Sequence, residues 1–138
     1  MSFEKKRNNA AKELGKFGES LVEKYYTTKN FKLLAKNFLS SKGEIDLIFL
    51  SETGEKIIAV EVKTRNKLEV LKSPEESVTK SKRLKIAGTL KYYCAFNNIK
   101  TYDYYFRFDV ASVYIYDYPD KYEIDVIENA FDEKGKIL

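Results

Sequence analysis

The sequence predicts an α/β domain, a mixed β-sheet flanked by α-helices, and three observations predict it. Residues 8–29 and a second stretch ending near Ala95 carry apolar residues at helical spacing. Five short stretches rich in Val, Ile, Phe and Tyr read as strands. The elements follow one another as α-β-β-β-α-β-β, an order that packs helices onto a sheet. At 138 residues, 43% hydrophobic and 33% charged, the chain has the balance of a globular protein and the length of one domain spanning 1–138.

The first helix places Ala11, Leu14, Leu21, Val22 and Tyr25 on one face, and Asn30 is suited to the left-handed turn that ends it. "FKLLAKNF" (31–38) follows as the first strand, then a hairpin of 44–50 and 56–63. The second helix starts either at "SPEE" (73–76), with Ser73 as cap and Glu76 three residues on, or at Thr79. It runs through Leu84, Ala87 and Leu90. "YYFRFDVASVYIYD" (104–117) and "YEIDVIE" (122–128) close the sheet.

Composition excludes several chemistries. The chain has no histidine, which removes imidazole zinc sites, Ser-His-Asp triads and histidine acid–base catalysis. Its one cysteine, Cys94, forbids an internal disulfide and suits a reducing compartment, so a cytoplasmic location is expected. No apolar run approaches the roughly 20 residues of a membrane helix, and the polar start carries no secretory signal. The net charge of +4 is unevenly spread: residues 61–100 hold ten Lys/Arg against four Asp/Glu, whereas 101–138 hold four against nine. A basic middle is what a polyanion-binding surface needs; a solvated helix face has the same composition.

The hairpin "GEIDLIFLSETGEKIIAVEVKTR" (43–65) sets Asp46, Glu61 and Lys63 among isoleucines, leucines and valines. Alternation places Glu61 and Lys63 on one face of their strand. A two-residue turn at Thr53-Gly54 pairs positions whose numbers total 107, and Asp46 then stands opposite Glu61. A four-residue loop keeps them on one face; a three-residue loop separates them unless a bulge restores the phase. Like charges facing each other destabilise a sheet, and each desolvated charge costs several kcal/mol unless paired. Lys63 neutralises one carboxylate. A hard divalent cation such as Mg²⁺ would neutralise the rest, because it takes oxygen ligands and commonly one or two carboxylates. A salt bridge at a strand end is the plainer reading. In the first helix, "GKFGES" (15–20) puts two glycines where each costs roughly 1 kcal/mol against alanine; close packing or a close-approaching phosphate would explain them. Glu19, beside them, lies at the edge of the apolar face.

In order, "GKFGES", "KNF", "GEIDLI", "VEVKTR", "KSKRL", "RFDV" and "IENAF" resemble the YraN family of uncharacterised bacterial proteins, from about residue 12 to 131. That family is similar to the PD-(D/E)XK nuclease superfamily, with its restriction-endonuclease-like fold, and within it to Holliday-junction resolvases. The resemblance implies a metal-centred site of Asp46, Glu61 and Lys63, with Glu19 as a further acidic residue.

On this reading Asp46, Glu61 and the Val62 carbonyl hold Mg²⁺ or Mn²⁺, and Lys63 orients a water or offsets charge on the phosphate. Lys80, Lys82, Arg83 and Lys85 then contact nucleic-acid phosphates, with DNA the expected partner. The rival function is a nucleic-acid-binding module with the nuclease fold and no turnover. Cutting two strands of a junction would require a symmetric homodimer. Arg107 and Asp109 read as a structural ion pair, and the tyrosines dense between 92 and 122 as strand and core residues.

Overall fold

A computed structural model of the chain describes residues 2–66, 78–117 and 120–138. Helix α1 (Phe3–Thr27) leads into β1 (Lys32–Ser40), β2 (Gly43–Leu50) and β3 (Lys56–Asn66); α2 (Lys80–Phe96) and a short 3-10 turn precede β4 (Tyr105–Asp117) and β5 (Lys121–Phe131). The predicted order is therefore observed. The sheet has five strands ordered β1-β2-β3-β4-β5, antiparallel throughout except for parallel β3 and β4. That parallel pair requires a crossover, and α2 supplies it.

The helices cover opposite faces. On one side Val22 and Tyr26 of α1 pack with Leu47, Phe49, Ile58, Val60, Ala111 and Val113. On the other, Ile86, Leu90 and Cys94 of α2 pack with Ile48, Ile57, Ala59, Phe108 and Val110. Strand residues alternate between the two clusters, as a sheet buried on both faces requires. Ala11, expected on the buried face of α1, is exposed, because it borders an open cleft between α1 and the end of β3 at Val62, Thr64 and Arg65.

Caps set the helix ends. Ser2 accepts from Lys5 N–H and starts α1 five residues earlier than the apolar pattern reveals. Thr79 accepts from Lys82 N–H and opens α2, which selects the later of the two predicted starts; the "SPEE" segment lies outside the described residues. Asn30 takes the left-handed conformation at φ 68°. Of the tyrosines expected in strand and core positions, Tyr105, Tyr114 and Tyr116 lie in β4, Tyr122 in β5 and Tyr93 in the core. Tyr92, Tyr102, Tyr105, Tyr116 and Tyr122 are nevertheless exposed. No helix among the described residues is long and apolar enough to cross a membrane.

Candidate active site

The β2–β3 hairpin adopts the register that makes Asp46 and Glu61 neighbours. Its pairs run from Leu50↔Ile57 to Leu47↔Val60, with the loop closed by Ser51 N–H donating to Lys56 O at 2.9 Å. The loop is four residues long, 52–55, and keeps the phase counted for the tight turn. Beyond Leu47↔Val60 the recorded ladder stops, and the side chain of Asp46 takes over: its Oδ2 accepts from Val62 N–H at 2.8 Å. A carboxylate thus occupies the place of a backbone acceptor. Because the N–H and C=O of one strand residue point the same way, the Val62 carbonyl faces this same parting of the strands.

Asp46 does not simply share the face of Ile48. Both Ile45 and Ile48 pack on the α2 side while Leu47 packs on the α1 side, so β2 changes phase at Asp46. The partner strand explains it. Pairing passes from Lys36↔Leu47 to Phe38↔Ile45, and the intervening Asn37 has φ 52°, a left-handed kink that asparagine tolerates inside a strand. The kink turns the Asp46 carboxylate toward β3 and presents the Asn37 amide to Glu19 of α1, which it hydrogen-bonds.

The electrostatics follow from this crowding. Burial pushes the Glu61 carboxyl up to about 7, and the Asp46 charge adds to the effect, while Lys82 and Lys63 oppose it. Asp46 is likewise raised by burial, against the lowering pull of the Val62 N–H and of Lys82 and Lys63. Glu19 is raised by partial burial and by Asp46 and Glu44. Lys63 Nζ lies 3.6 Å from Glu61 Oε1; Lys82 Nζ lies 3.8 Å from the same oxygen and 4.0 Å from Glu44 Oε1.

Among the described residues no three His, Cys, Asp or Glu side chains are placed to share one ion. Two carboxylates are nevertheless within the number that Mg²⁺ uses when water and a phosphate complete its shell. Asp46, Glu61 and the Val62 carbonyl offer only hard oxygen donors; burial favours the neutral forms of both carboxyls, with the Asp46 charge adding to the effect at Glu61, and a cation would relieve that cost. The donor set fits a hard divalent ion.

The four basic residues of α2 separate. Lys80 and Lys85 are exposed. Lys82 joins the carboxylates. Arg83 is spent on packing: Nε donates to Gly135 O at 2.7 Å and Nη1 to Val78 O at 2.5 Å, tying the C-terminal turn to the start of α2. Gly18 lets α1 approach β3 so closely that a Cβ would fall 1.9 Å from Thr64 Oγ1. Gly15 meets nothing within 4 Å; it borders a cleft of about 360 Å³ with Glu19, Val62 and Arg65. Arg107 and Asp109 form the expected ion pair at 2.8 Å, and Tyr26 Oη donates to Asp109 Oδ2 at 2.6 Å in the core.

Sequence reasoning missed Asn37 and the inward aim of Lys82. Asparagine inside an otherwise apolar strand was the available signal for the first. For the second, no sequence signal exists, since it depends on how α2 crosses the sheet.

The model of the uncharacterised protein family UPF0102 matches residues 18–113, which takes in Glu19, Asp46, Glu61, Lys63 and Lys82. The chain belongs to the UPF0102 (YraN) family. Among its UPF0102 relatives, a protein of Clostridium perfringens is 39% identical over 120 residues, covering 87% of this chain and 94% of that one. One of Clostridioides difficile is 41% identical over 120 residues, covering 87% and 97%, and one of Clostridium novyi 39% over 123 residues, covering 89% and 98%. The family match thus spans β1 to β3, α2, the second part of α1, most of β4 and every residue of the carboxylate site.

Proposed function

We propose that this chain is a single-domain, metal-dependent endonuclease that hydrolyses phosphodiester bonds of nucleic acid, branched DNA being the substrate class its resemblance to resolvases implies. The observation that carries the reading is the Asp46–Val62 clamp at 2.8 Å, which holds a carboxylate where β2 and β3 part, next to buried Glu61. A bound Mg²⁺ or Mn²⁺ would activate a water and offset charge on the phosphate. Asp46 and Glu61 would hold it with the Val62 carbonyl. Lys63, fixed on β3 two residues from Glu61, orients the attacking water and stabilises charge as it develops on the phosphate oxygens. Glu19, held by Asn37, supplies a further acidic group from α1. Lys80 and Lys85 contact the backbone of the substrate outside the reacting centre. Cys94 is wholly buried and its thiol is pushed up to about 11, an inert form that suits the cytoplasm.

The test is cleavage of labelled single-stranded, duplex, flap and four-way-junction DNA, with matched RNA, in Mg²⁺ or Mn²⁺. Asp46→Ala and Lys63→Ala run alongside, and binding is recorded in the same samples. Metal-dependent cleavage lost in both variants is the expected result. Binding without cleavage would assign a non-catalytic nucleic-acid module; neither would make the charged trio a structural cluster.

A further inference from the structure

The two ammonium groups on Glu61 arrive from different elements. Lys63 sits on the same strand, two residues on, with its Nζ 3.6 Å from Glu61 Oε1. Lys82 comes from the first turn of α2, and its contacts with Glu61 and Glu44, at 3.8 and 4.0 Å, are longer than hydrogen bonds. Neither carboxylate therefore uses up its three N–H donors. Its side chain is 34% exposed, enough to reach a ligand lying over the site.

Lys82 is aimed by its surroundings. Thr79 binds its backbone N–H, and the neighbouring Arg83 is clamped to Gly135 and Val78 carbonyls, so the turn is fixed on the sheet. Buried Ile86 lies one helical turn on, which puts Lys82 on the sheet-facing side of α2. Lys80 and Lys85 carry the same charge but are exposed.

We infer that Lys82 is a catalytic residue that grips a nonbridging oxygen of the reacting phosphate together with Lys63, rather than one of the lysines that track the substrate backbone. The inference rests on the nuclease reading above and deepens it. In the free protein Lys63 and Lys82 both lean on Glu61. When the Glu61 charge is taken up by a divalent cation, Lys82 keeps only the solvent-exposed Glu44 at 4.0 Å as an ion-pair partner among the described residues, its N–H donors stay free, and a phosphate oxygen is the anion the reaction brings there.

The experiment uses the full chain and two readouts. Lysines are acylated and mapped by mass spectrometry with a duplex and with a four-way junction, in Ca²⁺ and in EDTA. The expected pattern is Lys80 and Lys85 protected by nucleic acid in either condition, and Lys82 only with nucleic acid and Ca²⁺ together. Protection of Lys82 that ignores Ca²⁺, or no protection, overturns the inference. In parallel, Lys82→Ala is expected to slow single-turnover cleavage in Mg²⁺ about 10²-fold at nearly unchanged Kd, with partial recovery in Lys82→Arg. Lys80→Ala and Lys85→Ala instead weaken binding and lower its salt slope by about one each. A Lys82→Ala protein that cleaves normally but binds like Lys85→Ala refutes the assignment. Absent cleavage by the wild type sinks the nuclease reading and the catalytic role of Lys82, while a Ca²⁺-dependent footprint would still place Lys82 on the bound phosphate; absent binding sinks both.

Discussion

Replacing Glu61 by glutamine isolates the energetic consequence of the buried carboxylate. In the folded protein Glu61 releases its proton near 7, against 4.5 for an ordinary glutamate, because burial and the Asp46 charge oppose ionisation. Between those values the folded state keeps a proton that the unfolded chain has lost. Stability is therefore fully present below about 4.5 and is lost as pH rises through about 7. The interval sets a ceiling of about 3 kcal/mol. Lys63 and Lys82 are already included in that balance, since both lower the value.

Glutamine keeps the shape of the side chain and never ionises. Urea denaturation of both proteins at pH 5 and pH 8 is the assay. Relative to wild type, Glu61→Gln should gain about 2–3 kcal/mol on going from the lower to the higher pH, or roughly 10 °C in midpoint for a chain of this size. Parallel stability curves for the two proteins across that range would refute the reasoning, because they would mean Glu61 ionises as freely folded as unfolded.

Three further outcomes are expected. At pH 8, Mg²⁺ at about ten times its Kd should stabilise the wild type by roughly 1.4 kcal/mol in thermal denaturation; Asp46→Asn, which can still accept from Val62 N–H, should lose that response. Gly18→Ala should cost about 1–3 kcal/mol because the new Cβ collides with Thr64 on β3, whereas Gly15→Ala, facing open space, should gain up to about 1 kcal/mol; equal effects in chemical denaturation would contradict the packing described. Ser112 Oγ is buried with no hydrogen-bond partner among the described residues, so Ser112→Ala should raise stability by about 1 kcal/mol, and a measured loss would reveal a partner.

The fold was legible because its signals are local and repeated. Alternation in β2 to β4 and helical spacing through Leu14, Leu21 and Val22 each restate one periodicity several times. The start of α1 was not legible, because "EKKRNNAAKE" is polar on every side and only the Ser2 cap marks its beginning. In the site, counting across the hairpin found the neighbourhood of Asp46 and Glu61. It missed the phase change at Asp46, since that depends on a left-handed Asn37 in another strand. It also grouped Lys80, Lys82, Arg83 and Lys85 as one basic face. Their different fates were decided by what each side chain meets: solvent, Glu61, or the carbonyls of Val78 and Gly135.

The two acids of the hairpin do not carry equal structural weight. Asp46 performs a backbone's task where the strands part, and a neutral acceptor such as asparagine could perform it too. Glu61 bonds to no backbone donor among the described residues; its recorded partners are two lysines, each about one-third exposed. Taken as a stabilising device, this is poor design, since buried ion pairs are commonly matched or bettered by apolar residues of similar volume. The neighbouring strand positions show the fold's own solution, with Ile57 and Ala59 on the same face of β3 fully inside the α2 core. A carboxyl that repels Asp46, resists ionisation and attracts lysines from two elements is therefore a local conflict with an otherwise consistent sheet. Such conflicts mark places where sequence serves chemistry rather than folding. A cation and a phosphate are the two ligands that resolve this one, the first by taking the acids, the second by taking the lysines.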